Sequence, residues 1–191
     1  MKKVSDIHAI KIIFFITACY VGLWAIRIPT IKDQLQTDYV GVGYIMLSFA
    51  IGSIVAMIFA NALILKTSTK SILTCTLIAE GCLWLPVPFI QELWLFMVFS
   101  FVFGMSYGAF EIACNVYASN LEVREKKSMM SGFHAFWSLG VLFGSLITSF
   151  LLEWNYSFIF NILLYVFILL PLSLYFVPVS YTHLTLPTNS N

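Results

Sequence analysis

Charge is what this sequence has least of. Asp, Glu, Lys and Arg make up 10% of its 191 residues, whereas a soluble domain carries about 25%. With 60% hydrophobic residues and a mean hydropathy of +0.92, the chain cannot cover a water-facing surface. A net charge of +1 provides no excess of positive charge for a nucleic acid partner. The composition therefore predicts a polytopic membrane protein and excludes a soluble domain.

Residues that bind metals or form disulfides are also few. His8, His134 and His183 are far apart and have no metal-ligand spacing. The cysteines lie within apolar stretches without a Cys-x-x-Cys pair, so we expect them to be small buried apolar residues. Neither a metal nor a cofactor is predicted. The four cysteines are Cys19, Cys75, Cys82 and Cys114.

Long apolar segments dominate the sequence instead. Each is long enough to cross about 30 Å of hydrocarbon as a helix, and only short loops separate them. We predict an all-α bundle of six membrane-spanning helices, each antiparallel to the next. The basic N-terminus has no signal-peptide cleavage site after its apolar run, so this run is predicted to be the first helix. The predicted spans are 10–28, 42–65, 72–89, 93–117, 129–152 and 157–177.

Positive charge is distributed unequally between the two sides of this predicted bundle. If the N-terminus lies inside the cell, eight of the ten Lys and Arg residues fall on the inner side. Only Arg27 and Lys32 fall on the outer side. Because Lys and Arg concentrate in cytoplasmic loops, the N-terminus is predicted to be cytoplasmic.

The fourth and fifth spans contain residues that hydrocarbon disfavours. Glu111 and Asn115 precede a charged turn at 122–127, and His134 follows that turn at a similar distance. Two antiparallel helices would therefore hold Glu111 and His134 at a similar membrane depth. Since ionisable residues inside a membrane are expected to be functional, we predict that Glu111 faces a water-accessible interior. His134, flanked by Trp137, is predicted to bind or transfer protons; a structural hydrogen bond is the alternative.

Polar residues also occur in the first and third spans. Trp24 and Arg27 share one helical face with Thr17 and Tyr20, which favours a helix that lines a pathway. Alternatively, Arg27 extends to the outer membrane interface. Glu80 lies near mid-membrane, where burial disfavours its charged form unless it is paired. We include Trp24, Arg27 and Glu80 in the predicted pathway, with a hydrogen bond to a neighbouring helix as the alternative for Glu80.

Small residues and a proline indicate how the helices pack. Pro29 is predicted to end or kink the first helix. The sixth span is aromatic and nearly uncharged, so it is predicted to be a lipid-facing wall. Small residues at helical spacing on the second, fourth and fifth spans predict close helix contacts. These residues are Gly52, Ala56, Ala60, Gly104, Gly108, Gly132, Gly140 and Gly144.

Two stretches carry a family resemblance. Residues 22–36 (GLWAIRIPTIKDQLQ) and 115–146 (NVYASNLEVREKKSMMSGFHAFWSLGVLFGSL) resemble the major facilitator superfamily, most of all its fucose-permease-like and uncharacterised bacterial inner-membrane branch. The resemblance covers about residues 8–178. It implies the amino-terminal half of a twelve-helix protein, built as a 3+3 inverted repeat with substrate near the midplane. It also implies an inner-membrane location and a missing carboxy-terminal six-helix half as partner.

The resemblance implies a function as well. Glu111 falls on the stretch where proton/sugar symporters of the family carry an acid, so secondary active transport of a small polar solute such as a sugar, coupled to protons, is expected. The family's loop motif G-x-L-x-D-R-x-G-R-K is degraded here. Leu65 replaces its Asp and Ser68 its second Gly, whereas Lys66 and Lys70 keep two basic positions.

The end of the chain differs from the rest. Residues 179–188 (VSYTHLTLPT) are abruptly polar and resemble the translated end of a transposon adapter used in sequencing libraries. We therefore predict a truncated chain with two regions, a six-helix bundle at 1–178 and a non-native or disordered tail at 179–191.

Two other functions remain open. A six-helix intramembrane enzyme needs a Ser nucleophile and a His base from another helix. The internal histidine, His134, is too close in sequence to Ser131 for that arrangement, so the chain is predicted not to be an enzyme. A membrane subunit without transport would not need polar faces on the first, fourth and fifth helices.

Overall fold

The computed structural model describes residues 6–180, apart from the side chains of residues 60–66 and 178–180. Within that range the chain forms six α-helices and one 3₁₀ turn, and no strand. Six segments are long and apolar enough to cross a membrane, the third being α3 with the 3₁₀ turn. The predicted all-α fold with six spans is confirmed. The helices are α1 (Asp6–Gln34), α2 (Tyr39–Lys66), α3 (Thr69–Leu83), α4 (Leu93–Glu125), α5 (Met130–Glu153) and α6 (Phe158–Ser180), and the 3₁₀ turn is Val87–Phe89.

The helices contact one another in a pattern that occurs twice. The two largest interfaces join α1 to α5 and α4 to α2. In addition, α1 packs on α6 as α4 packs on α3, and α3 contacts α6. Exchanging α1–α3 with α4–α6 therefore reproduces the same neighbours. Because α1 and α4 begin at opposite ends of the bundle, the two triplets form a 3+3 inverted repeat, the arrangement of half a major facilitator fold.

Glycines allow close approach at the two large interfaces that join one triplet to the other. A Cβ on Gly104 of α4 would come within 3.0 Å of the Phe49 backbone on α2, and a Cβ on Gly144 of α5 would meet the Cys19 backbone on α1 equally closely. Such close approach favours helix association in lipid through van der Waals contact. Gly132 was predicted to share the ridge of Gly144, but no atom lies within 4 Å of a Cβ built there.

The first and fourth helices are longer than predicted. Pro29 was predicted to end or kink the first helix; the helix does not end there, because Pro29 lies inside α1, and the kink stays a prediction. Proline removes one backbone donor, but the helical bonding continues beyond it, with the Leu35 N–H donating to the Ile31 carbonyl at 3.0 Å. The fourth helix extends beyond residue 117 to Glu125, so most of the predicted turn at 122–127 is helical.

The chain reverses between α4 and α5 in a turn that Glu122 stabilises. Its carboxylate accepts hydrogen bonds from the backbone N–H groups of Met129 and Met130, at 2.5 and 2.6 Å. These amides precede or begin α5, where helical partners are lacking. Next to the turn, Arg124 forms a 2.8 Å ion pair with Asp6 at the start of α1.

The sixth helix is more than the lipid-facing wall that its composition predicted. Asn161 is fully buried, and Tyr165 is nearly so. The Tyr165 hydroxyl donates to the Gly144 carbonyl at 2.6 Å and lies 3.0 Å from the Thr148 hydroxyl. One side of α6 therefore packs into the bundle, while residues such as Phe167 remain exposed.

The cysteines divide into two classes. Cys19 and Cys114 are buried, as expected, but Cys75 and Cys82 on α3 are exposed. The prediction that all four are buried is wrong for this pair, because an apolar span has an outward face as well as an inward one. Of the tail predicted at 179–191, only residues 179 and 180, the end of α6, fall within the described range; the division at residue 178 stays a prediction.

Candidate functional site

Two cavities in the bundle each contain one acid. The smaller one, of about 140 Å³, contains Glu111. The larger one, of about 420 Å³, contains Glu80. Glu111 is on α4 and Glu80 on α3, so the two carboxyls reach the interior from neighbouring helices.

Four of the seven predicted site residues line the smaller cavity. Glu111 and Asn115 reach it from α4, and His134 and Trp137 reach it from α5. Glu111 and Asn115 are four residues apart, so they lie on one face of the helix. The structure thus brings together the acid, the amide and the imidazole that the sequence placed at one depth.

The acid and the imidazole of the smaller cavity are not paired with each other. Between the side chains of Glu111 and His134 the described part of the chain shows no hydrogen bond and no ion pair. Glu111 is half-buried and His134 is exposed. The edge of the His134 ring contacts Phe14 of α1, with 5.7 Å between ring centroids.

The larger cavity has an aromatic wall around one carboxyl group. Trp24 of α1 meets Trp84 edge to face, with 6.1 Å between centroids, and Tyr20 stacks on Trp84 at 6.2 Å. The Glu80 residue is 3% exposed. No hydrogen bond or ion pair links Glu80 to another side chain that the structure describes. The alternative of a hydrogen bond to a neighbouring helix is therefore not what the geometry shows.

Tyr107 and Trp137 belong to both cavities. Tyr107, on α4, and Trp137, on α5, line the smaller and the larger space alike. This aromatic pair therefore separates two spaces that contain one acid each.

Arg27 is separate from the other predicted site residues. It lines neither cavity and is 2% exposed. Its Nε donates to Asn161 Oδ1 at 3.1 Å, and another guanidinium N–H donates to the Tyr156 carbonyl at 3.3 Å. The guanidinium also lies over the Phe158 ring, 5.3 Å from its centroid. These contacts join α1 to α6 and do not place Arg27 next to Glu80 or Trp24.

Among the cavity residues that were not predicted, two could have been found from the sequence. Tyr107 precedes Glu111 by four residues, and Trp84 follows Glu80 by four. Residues four apart on a helix share a face. The residues one helical turn away from Glu111 and Glu80 could therefore have been predicted to line the same spaces. No group of three His, Cys, Asp or Glu side chains that could hold a metal ion occurs among the described residues.

Comparisons with known proteins point to one family. The profile described as Major Facilitator Superfamily matches residues 12–190. The chain is 28% identical to an uncharacterized MFS-type transporter of Yersinia pestis over 145 residues, which cover 74% of this chain and 37% of that protein. It is 25% identical to an uncharacterized transporter of Sinorhizobium fredii over 141 residues, covering 69% and 35%. The chain thus spans little more than a third of each relative's length, and no solved structure matches it significantly.

Proposed function

Because the chain belongs to the Major Facilitator Superfamily, we propose that it is the amino-terminal half of a proton-coupled secondary active transporter. Its six apolar helices and its transporter relatives make it a multi-pass membrane protein that serves membrane transport. Symport of a proton with a small polar solute is the specific activity proposed. Within the family, we propose the fucose-permease-like branch, on the sequence stretches at 22–36 and 115–146.

The observation that carries the proposal is the smaller cavity. Glu111 shares it with Asn115 and His134, and its carboxyl makes no ion pair with a described residue. A carboxyl group in such a place can bind a proton when its surroundings are dry and release it when water or solute enters. We propose that Glu111 is the proton carrier. His134 and Asn115 then hydrogen-bond the solute or the carboxyl.

The solute is proposed to be a small polar molecule, of which a sugar is the class that the resemblance implies. Trp24 is half-buried in the wall of the larger cavity and offers an aromatic face to a ring. On the other side of Tyr107 and Trp137, in the smaller cavity, Asn115 and His134 offer hydrogen bonds. A solute bound next to this pair would lie close to the proposed proton carrier.

The membrane context is also part of the proposal. Asp6 and Arg124 lie at the end of the bundle where α1 begins, and Arg27 and Lys32 lie toward the other end. We place the α1 start in the cytoplasm, following the distribution of Lys and Arg, and the protein in the inner membrane of a bacterium. The relatives are nearly three times as long as the matched region, which supports a carboxy-terminal six-helix half as the partner that closes the site.

The test measures proton movement driven by solute. Cells that produce the chain together with the proposed carboxy-terminal half are suspended in weak buffer, and L-fucose or another monosaccharide is added while external pH is recorded. Symport makes the medium more alkaline, and Glu111→Gln is expected to abolish this signal. Glu92→Gln, an exposed Glu at the start of α4, is the matched control and should behave as wild type.

Two results would contradict the proposal. Glu111→Gln cells that still take up protons and accumulate solute like wild type would rule out Glu111 as the carrier. Absence of solute-driven flux with every solute class tested would count against coupled transport itself. The 191-residue chain alone is expected to show no coupled flux; a measurable flux would mean that two copies complete one site.

A further inference from the structure

The larger cavity combines one acid with a mostly aromatic wall. Its volume is about 420 Å³, and Glu80 is the only Asp, Glu, Lys, Arg or His side chain in its described lining. The aromatic residues come from α1, α2, α4 and α5 and from the position just after α3; they are Tyr20, Trp24, Phe49, Trp84, Phe103, Tyr107 and Trp137. A space of this kind binds a molecule with an apolar ring and a single polar group.

The single polar group of that molecule has to pair with the Glu80 carboxyl group. Its carboxyl is almost completely buried and has no hydrogen-bond or ion-pair partner among the side chains that the structure describes. Arg27, the buried cation among the described residues, is held by Asn161 on α6 and by the Tyr156 carbonyl in the turn before α6. Because burial disfavours a carboxylate that has no countercharge, a cation that enters the cavity would provide the partner that the described side chains do not.

The aromatic wall favours a cation as well. The faces of Trp and Tyr attract ammonium groups through their π electrons, and most strongly where water is excluded. Trp84 contacts both Tyr20 and Trp24, so these three rings surround one part of the cavity near Glu80. An ammonium group held there gains both an ion pair and cation–π contacts.

We propose that the larger cavity binds an organic ammonium compound with a six-membered ring, whose nitrogen pairs with Glu80. The inference rests on the proposed transport function for its biological meaning, and it favours a cationic solute over the sugar that the resemblance implies. A sugar would have to satisfy several hydroxyl groups at once. The described wall offers few free polar partners for them, namely Glu80, the Ser100 hydroxyl, the unpaired Nε1–H of Trp84 and the edges of the other aromatic residues, and the Tyr20 hydroxyl already donates to the Tyr165 carbonyl.

The test compares three soluble probes on the purified 191-residue chain in detergent. They are 2-phenylethylammonium, its neutral analogue 2-phenylethanol, and L-fucose, and binding is followed by tryptophan fluorescence. Trp94 and Trp154, which are both 65% exposed, are replaced by Phe so that the signal comes from cavity tryptophans. The ammonium probe is expected to bind more tightly than the alcohol, and the sugar not to bind. Equal binding of ammonium and alcohol, or tighter binding of fucose, would overturn the proposal.

A pair of matched variants identifies the carboxyl. Glu80→Gln is expected to weaken binding of the ammonium probe roughly thirtyfold, as expected for loss of one partner of a buried charge pair, and to leave 2-phenylethanol unaffected. Glu92→Gln makes the same chemical change at an exposed position and should bind as wild type. Unchanged ammonium affinity in folded Glu80→Gln protein contradicts the proposal. If circular dichroism shows that this variant does not fold, the comparison of probes on the wild-type chain decides.

The outcome is independent of the transport test. Binding is measured without flux, without a pH gradient and without the second half of the protein. Selective ammonium binding together with absent proton coupling would therefore uphold this inference and reject the proposed function. Proton-coupled uptake of fucose without ammonium binding would reject this inference and uphold the proposed function.

Discussion

Tyr107 on α4 and Trp137 on α5 together form the wall between the two cavities. Glu111 lies on one side of this wall and Glu80 on the other. The pair is drawn from helices that otherwise contact each other little, so the separation of the two spaces depends on two large side chains. Substitution of either side chain is therefore expected to change whether the two cavities are connected.

Trp137→Ala is expected to join the two cavities. Removing the indole opens a path from the exposed His134 side to the tryptophans of the larger cavity. In the Trp94→Phe, Trp154→Phe background, iodide should then quench the fluorescence of the remaining tryptophans more strongly. Trp137→Phe keeps an aromatic ring in place and is the control. Equal quenching in the Ala and Phe variants would mean that Trp137 does not separate the cavities.

Gly104→Ala is expected to destabilise the bundle, whereas Gly132→Ala is not. A Cβ at Gly104 would collide with the Phe49 backbone, whereas a Cβ at Gly132 meets no atom within 4 Å. Overpacking of this kind costs about 1–3 kcal/mol, whereas Ala in an open helical position gains helix propensity. Thermal unfolding in detergent measures the difference. A melting temperature that falls as much for Gly132→Ala as for Gly104→Ala would contradict the assignment of the close crossing.

The sequence predicted the six helices and their order because long apolar segments and short loops leave few alternatives. The sequence was less informative about which side of each helix faces the interior of the bundle. Cys75 and Cys82 lie in the same apolar span as Glu80, yet they face outward. Hydropathy changes little around such a helix, so only packing against neighbours distinguishes the inner face from the outer one.

The residues of the smaller cavity were predictable for a physical reason. Glu111 and His134 are costly in hydrocarbon, so their presence marks a polar interior. Arg27 satisfies the same criterion but lies at the α1–α6 interface. Its partner Asn161 was missed because a single Asn in an aromatic span has no periodic pattern around it. The free-energy cost of a polar side chain in hydrocarbon therefore identifies buried polar residues, but it does not tell whether they bind a solute or contact another helix.

Asn161→Leu is expected to destabilise the protein by about 2 kcal/mol, because it leaves the buried Arg27 Nε without its acceptor. Arg27→Leu alone removes a donor from Asn161 in the same way. The double variant should lose less stability than the sum of the two single variants, since the remaining leucines are compatible with their surroundings. Thermal unfolding of the four proteins measures this coupling. Strict additivity would show that the hydrogen bond contributes nothing.

Cysteine accessibility checks which face of α3 points outward. In detergent, N-phenylmaleimide is expected to label Cys75 and Cys82 and to leave the buried Cys19 and Cys114 unmodified. Mass spectrometry should therefore find two modified residues in the folded chain and four after denaturation in SDS. Replacement of Cys75 and Cys82 by Ser provides the control, because labelling of the folded protein should then disappear. Rapid labelling of Cys114 would contradict the packing of α4.

Glu122→Ala is expected to loosen the start of α5, because the first amides of a helix have no partners within the helix. The Glu122 carboxylate accepts from Met129 and Met130, and a negative charge at this position also favours the helix dipole. Hydrogen exchange at residues 129–133 should therefore be faster in Glu122→Ala, and intermediate in Glu122→Gln, whose amide oxygen still accepts hydrogen bonds. Glu125→Ala removes an acid that contacts Arg124 instead, so it should leave exchange at these amides unchanged. Equal hydrogen-exchange protection of residues 129–133 in the Glu122 and Glu125 variants would mean that other contacts stabilise the turn. The position of His134, which follows Met130 by four residues, would then not depend on Glu122.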